Sequence, residues 1–191
     1  MASAKPPPPS KPPASIHPTA VIAEKAVLSG TNRVTIGENV VLHPYARVRA
    51  ENGVVAIGDN CIIYERATVG CETTSATGAK GGSDVSIGAG CVIESNAVVE
   101  GQIGECSELG VAACVGKGAK VGRYCKIAAM ERVEAGEELE DFTVVFADGR
   151  RRVSRTMRDH ESVREAKHKG QMMAVELMRK MIPNSAVKWT M

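Results

Sequence analysis

The stretch LGVAACVGKGAKVGRYCKIAAM, from Leu109 to Met130, has an aliphatic residue at every sixth position: Leu109, Val115, Val121 and Ile127. Gly follows three of these four. A helix repeats every 3.6 residues and a strand every two, so a period of six belongs to neither alone. It calls for a short extended unit that ends in a turn.

The same beat continues outward on both sides. It runs Ile16, Ile22, Leu28, then after a small slip Ile36, Leu42, Val48, then after another Ile57, Ile63, Val69. The segment 70–86, GCETTSATGAKGGSDVS, interrupts it. Ile87, Ile93 and Val99 resume it, and a last run holds phase from Ile103 through Val133 to Leu139. Four residues after each aliphatic the side chain is usually small: Ala20, Ala26, Ala46, Cys61, Ala67, Cys91, Ala97, Ser107, Ala113, Ala119 and Cys125. Residues two apart in a strand share a face, so each unit turns one large and one small side chain inward. Gly, Asn and charged residues fill the positions between, as corners require.

A turn of a third of a circle per unit closes one coil in three units, about 18 residues. Coils stacked at about 4.8 Å pair through their backbones, and about seven of them make an all-β triangular prism on the order of 30 Å long. A narrow interior accounts for an aromatic content of only 3% in a chain that is 43% hydrophobic. It also gives Cys61, Cys91 and Cys125 a place as small buried hydrophobes, while Cys71, Cys106 and Cys114 fall outside the register.

Three regions follow in the 191 residues: a Pro-rich arm over 1–15, the β-helix over 16–149 with an inserted loop at 70–86, and a helical segment over 150–191. The arm, MASAKPPPPSKPPAS, reads as disordered; its PPPP run reads as a solvated tail in preference to an SH3-type ligand. In the last segment Met173, Leu177 and Met181 recur every four, with Ala174 and Met178 on the same side. This predicts an amphipathic helix ending before Pro183, weakened in its first half by Gly170 and packing its Met stripe on one side of the prism. Ser154 and Ser162 lie in basic sequence, without a defined modification motif.

Net charge is +2, which favours neither nucleic acid nor an acidic membrane as a partner. No stretch approaches the ~18 apolar residues of a membrane span. Six Cys without a CxxC spacing do not form a disulfide framework. With no apolar signal core, the expected compartment is the cytoplasm.

The I-G-x-x-C/V and A-x-V units resemble the hexapeptide repeat of left-handed β-helix proteins. The left hand is implied by this resemblance; the general preference of parallel crossovers is right-handed. The fold serves acyl- and nucleotidyl-transferases, γ-type carbonic anhydrases and non-enzymatic scaffolds, so function rests on residues. Hexapeptide acyltransferases use a His from the coils as general base. The coils here hold His17 and His43, each before Pro, and His160 and His168 lie in the last segment. The γ-type carbonic anhydrases hold zinc with three His. The matching stretch, IESNAVVEG at 93–101, has Ser95 and Glu100 in their place, and Gly70 stands where the third would be. That set cannot supply three zinc ligands. A regulatory subunit of a nucleotidyltransferase-type exchange factor would need a preceding α/β nucleotide-binding domain, and the chain is too short for one.

The order of coils, the loop after the third, IESNAVV, the Arg151–Val153 stretch and the ending LMRKMIPNSAVKWTM are similar to the β-helix subunits of the dynactin pointed-end complex. The chain departs from them in its Pro-rich arm, its shorter Gly-rich loop and a longer charged segment before the last helix. The resemblance implies a non-catalytic structural subunit of the dynein–dynactin microtubule motor system, in cytoplasm and cytoskeleton. Its implied partners are a second β-helix dynactin subunit, an actin-related protein and a larger pointed-end subunit. It implies no catalytic, cofactor-binding or metal-ligating residue and no cofactor. The alternative is a homotrimeric enzyme like a γ-carbonic anhydrase or a hexapeptide acyltransferase. The open ends of the prism present unpaired backbone groups that must be covered, and a neighbouring protein can provide that cover.

Overall fold

A computed structural model describes residues 11–71 and 84–189. The hexad beat becomes three parallel sheets, the faces of a triangular prism. The first face is built from Ala14–Ile16, Val34–Ile36, Val55–Ile57, Val85–Ile87, Gln102–Ile103, Lys120–Val121 and Glu138–Leu139. The second takes Val21–Ile22, Val41–Leu42, Ile62–Ile63, Val92–Ile93, Glu108–Leu109, Lys126–Ile127 and Thr143–Phe146. The third takes Val27–Gly30, Arg47–Ala50, Thr68–Val69, Val98–Val99, Cys114–Val115 and Arg132–Val133. These make six complete coils and two sides of a seventh.

Every marked aliphatic stacks on its counterpart. Ile22, Leu42, Ile63, Ile93, Leu109 and Ile127 form one inward column. The small positions, from Ala20 to Cys125, are buried beside them. The column continues one unit beyond Leu139, to the buried Val145 paired with Ile127.

The corners follow the expectation at their Asn and Gly positions, but the Gly after each aliphatic has another reason. At most corners the turning residue lies three after the aliphatic and has positive φ, as at Asn39 (54°), Tyr45 (64°), Asn60 (57°) and Asn96 (61°). At one corner Ala46 N–H donates to His43 O at 3.1 Å, with Pro44 second and Tyr45 third, the positions a type II turn assigns to Pro and to positive φ. With the exception of Gly70, the Gly directly after an aliphatic has no positive φ. It is there because the next coil is close: a Cβ on Gly104 would lie 2.6 Å from the Gly122 carbonyl carbon, and one on Gly110 2.6 Å from Ala129 N.

Region boundaries also shift. Strand pairing begins at Ala14 and Ser15, opposite Val34 and Thr35, so the arm predicted over 1–15 ends earlier; its residues 1–10 lie outside the described residues. Of the loop at 70–86, Val85 and Ser86 are strand, paired with Val55 and Ala56, and 72–83 lie outside the described residues. After Phe146 the chain reverses, and Arg150–Val153 runs antiparallel to Thr143–Phe146. Helix α1 (Arg155–Asp159) and helix α2 (Glu161–Met181) follow, and α2 continues through the exposed Gly170.

Helix α2 lies on the outer side of the second face. Val175 packs on Val41 and Ile62, with Ala174, Met178, Ile182 and Tyr64 around them. Glu108 holds Lys167 and, at 3.3 Å, Lys126, and Gln171 Nε2 donates to Asn60 O at 3.0 Å. Burial pushes the Glu108 carboxyl up, but the two lysines outweigh it and hold it below the usual range. The predicted packing stripe is therefore displaced by one residue: Met173, Leu177 and Met181 are 65%, 54% and 66% exposed.

Candidate functional site

The corner between the second and third faces carries the most concentrated chemistry. His43 follows Leu42, and Glu65 and Ser95 sit two residues past Ile63 and Ile93, so the coil repeat stacks all three on one edge. His43 Nδ1 lies 2.8 Å from Glu65 Oε1, and Ser95 Oγ donates to Glu65 Oε2 at 3.4 Å. The imidazole packs on the Tyr64 ring, centroids 4.6 Å apart. Partial burial raises the Glu65 carboxyl, but hydrogen bonds from His43, its own backbone and Ser95, with the His43 charge, together hold it below the ordinary carboxylate range. Burial, then the Glu94 and Glu65 carboxylates, push the Tyr64 hydroxyl up.

A cavity of about 620 Å³ opens at this corner, between Pro44, Tyr45, Lys25 and Glu65 on the coils and Met178, Met181, Ile182 and Pro183 at the end of α2. Lys25 Nζ donates to Tyr45 Oη at 3.0 Å. With Nδ1 engaged by the Glu65 carboxylate, the ring nitrogen of His43 left for any other partner is Nε2. That atom is buried and has no hydrogen-bond partner among the described residues. The pair therefore bolts successive coils together. A role in proton transfer would need Nε2 to become exposed.

The other candidates are dispersed. His17 Nδ1 is 2.9 Å from Thr19 Oγ1 on an exposed corner, His160 lies between α1 and α2, and His168 is exposed on α2. Ser95 and Glu100 stand on different corners of one coil. Gly70 has φ 112°, and a Cβ there would fall 1.9 Å from Arg49 O, so no ligand side chain fits that place.

The inward thiols share one task. Cys61, Cys91 and Cys125 donate to the carbonyls of Gly88, Gly104 and Glu140 at 3.1, 3.1 and 3.2 Å, and Ser107 does the same to Gly122 at 2.9 Å. Burial pushes the Cys125 thiol up to about 11. Cys106 occupies a positive-φ corner beside Tyr124, Cys114 faces outward, and burial raises both thiols. Cys71 is buried. Raised thiols are poor nucleophiles.

The conspicuous end of the sequence, IPNS, has a structural task that periodicity could not disclose. Asn184 Oδ1 accepts from Ile22 N–H at 3.1 Å, Asn184 Nδ2 donates to Ala20 O at 3.1 Å, and Ser185 N–H donates to Ile22 O at 2.8 Å. Ala186 and Trp189 pack on the core. The chain's own tail thus covers the first edge of the second face, and Arg150–Val153 covers its last parallel strand while presenting an outer edge of its own.

No protein-family model matches the chain. Over 49 residues it is 43% identical to dynactin subunit 6 of Nematostella vectensis, 26% of each chain; it thus spans about a quarter of that relative's length. Among solved structures, a hexapeptide transferase family protein of Anaplasma phagocytophilum superposes with a TM-score of 0.66 at 18% identity, covering 88% of this chain and 92% of that one. The acetyltransferase domain of PglB from Neisseria gonorrhoeae gives 0.41 at 23% identity, over 68% and 55%. The first of these likenesses shows the fold: a left-handed β-helix of hexapeptide repeats with a C-terminal helix.

Proposed function

We propose that the chain is a non-catalytic structural subunit of a dynactin-type pointed-end assembly, a counterpart of dynactin subunit 6 that supports dynein-driven transport and cargo targeting in the cytoplasm. Its partners on this reading are a second β-helix subunit, an actin-related protein and a larger pointed-end subunit. The observation that carries the reading is the outer line of α2, where Met173, Leu177 and Met181 stand open to water beside an inner side that packs through the buried Val175. Apolar side chains exposed in a row mark a contact surface. Three hydrogen-bonded faces also make a stiff spacer, with little internal freedom to lose on binding. The 49-residue likeness to a dynactin subunit points the same way. Mild affinity purification of the tagged chain from its own cells tests this, with a second β-helix chain and an actin-related protein expected among the recovered proteins.

One observation favours a second reading, a hexapeptide acyltransferase: the anchored His43–Glu65 pair borders a cavity. Acyl transfer by the purified chain, lost in His43→Ala, would establish it.

A further inference from the structure

The second face ends in Arg150–Val153, the last of its eight strands. The phase of the ladder there can be read from two bonds. Ser154 N–H donates to Phe142 O at 2.8 Å, and Ala128 N–H donates to Val145 O at 2.9 Å. Bonded pairs alternate along an antiparallel ladder, so Arg152 and Arg150 bond to Val144 and Phe146. The amide and carbonyl groups of Arg151 and Val153 therefore point away from the sheet. All four residues are exposed, and among the described residues no strand lies beyond them.

This edge has a definite charge. The Arg150 and Arg152 guanidinium groups lie 5.5 and 5.8 Å from the Phe146 ring centroid, on the side of the strand opposite Arg151, which pairs with Glu137. A second copy of the chain is a poor occupant. Pairing one RRRV strand with another sets Arg against Arg, and like charges directly across a ladder are destabilising. A strand with carboxylates at alternate positions meets Arg150 and Arg152 instead, while its backbone takes the outward groups of Arg151 and Val153.

We propose that the outer edge of Arg150–Val153 receives an extended acidic segment of a partner chain as an added strand. The arginines admit this partner and turn away neutral and basic edges. The proposal stands on this edge alone and holds whichever assembly the chain joins.

The test is fluorescence anisotropy on the full chain, with a labelled peptide of about ten residues alternating Glu and Thr and a counterpart alternating Lys and Thr. The Glu peptide is expected to bind saturably, more weakly in high salt, and the Lys peptide not to bind. Val153→Pro removes one outward N–H and leaves the bonds to Thr143–Phe146 in place; it should weaken binding about tenfold. The double change Arg150→Glu, Arg152→Glu should reverse the preference. In the unaltered chain, the peptide should slow amide exchange at Arg151 and Val153, a readout that does not depend on any variant folding. No saturable binding of the Glu peptide, or binding without protection of those two amides, overturns the proposal.

Discussion

Asn184 and Ile22, 162 residues apart, are joined where the Asn184 side-chain oxygen accepts the Ile22 amide at 3.1 Å. The same side chain reaches Ala20 O, and the next residue, Ser185, returns a bond to Ile22 O at 2.8 Å. One short polar side chain therefore does for the first edge of the second face what a further strand does elsewhere. Asn184→Ala leaves the Ile22 amide without this acceptor. A loss of about 1–3 kcal/mol is expected, read by chemical denaturation, with faster amide exchange at Ile22. Unchanged exchange there would show that the tail does not hold the edge.

The inward columns set the scale of core stability. Ile63 and Ile93 are neighbours in adjacent coils and fully buried. Ile63→Ala or Ile93→Ala should cost about 2–5 kcal/mol, lost burial plus the cavity left behind. A change near zero in thermal melting contradicts the register.

Two kinds of Gly should respond differently to Ala. At Gly104 the new methyl meets backbone of the next coil at 2.6 Å, whereas at Gly118, φ 70°, it meets no atom within 4 Å. Gly118→Ala should cost only the left-handed conformation, about 1–2 kcal/mol, and Gly104→Ala clearly more, since the coils must part. Equal melting temperatures for the two variants would refute the close-approach argument.

The His43–Glu65 bond makes a pH prediction. The folded state holds the Glu65 carboxyl below its ordinary value, so the carboxylate contributes stability above the unfolded pKa, about 4.3. That contribution is lost as pH falls through the folded pKa. The stability difference between the unaltered chain and Glu65→Gln should therefore be present at neutral pH and shrink below the ordinary carboxylate range. It should be modest, because the Glu65 side chain is 46% exposed and screened by solvent. A difference that grows on acidification contradicts the sign.

The fold was legible because the hexad is a direct image of the coil: each inward column, from Ile22 through Leu42 and Ile63 to Ile127, is a sequence period made spatial. The corner chemistry was less so. The role of Gly after each aliphatic is set by the neighbouring coil's backbone, which local sequence does not contain. The Met stripe misled for a related reason. Helix α2 is apolar on two adjoining sides, and its period cannot say which one meets Val41 and Ile62. His43 and Glu65 are 22 residues apart; their contact follows from stacking the coils after Leu42 and Ile63, and counting forward from the aligned aliphatics would have found it. The Asn184 clasp rests on a tail outside any repeat, so no periodic signal marks it.

On the proposed function, the chain is a fixed part of a larger assembly, engaged through the outer side of α2. The direct measurement is native mass spectrometry of the tagged chain recovered from its own cells, beside Met173→Glu and Leu177→Glu. These variants alter exposed side chains and should melt with the unaltered chain. One complex containing a second β-helix subunit and an actin-related protein is expected, diminished in both variants. Recovery of a homotrimer alone, unchanged by either substitution, would contradict it.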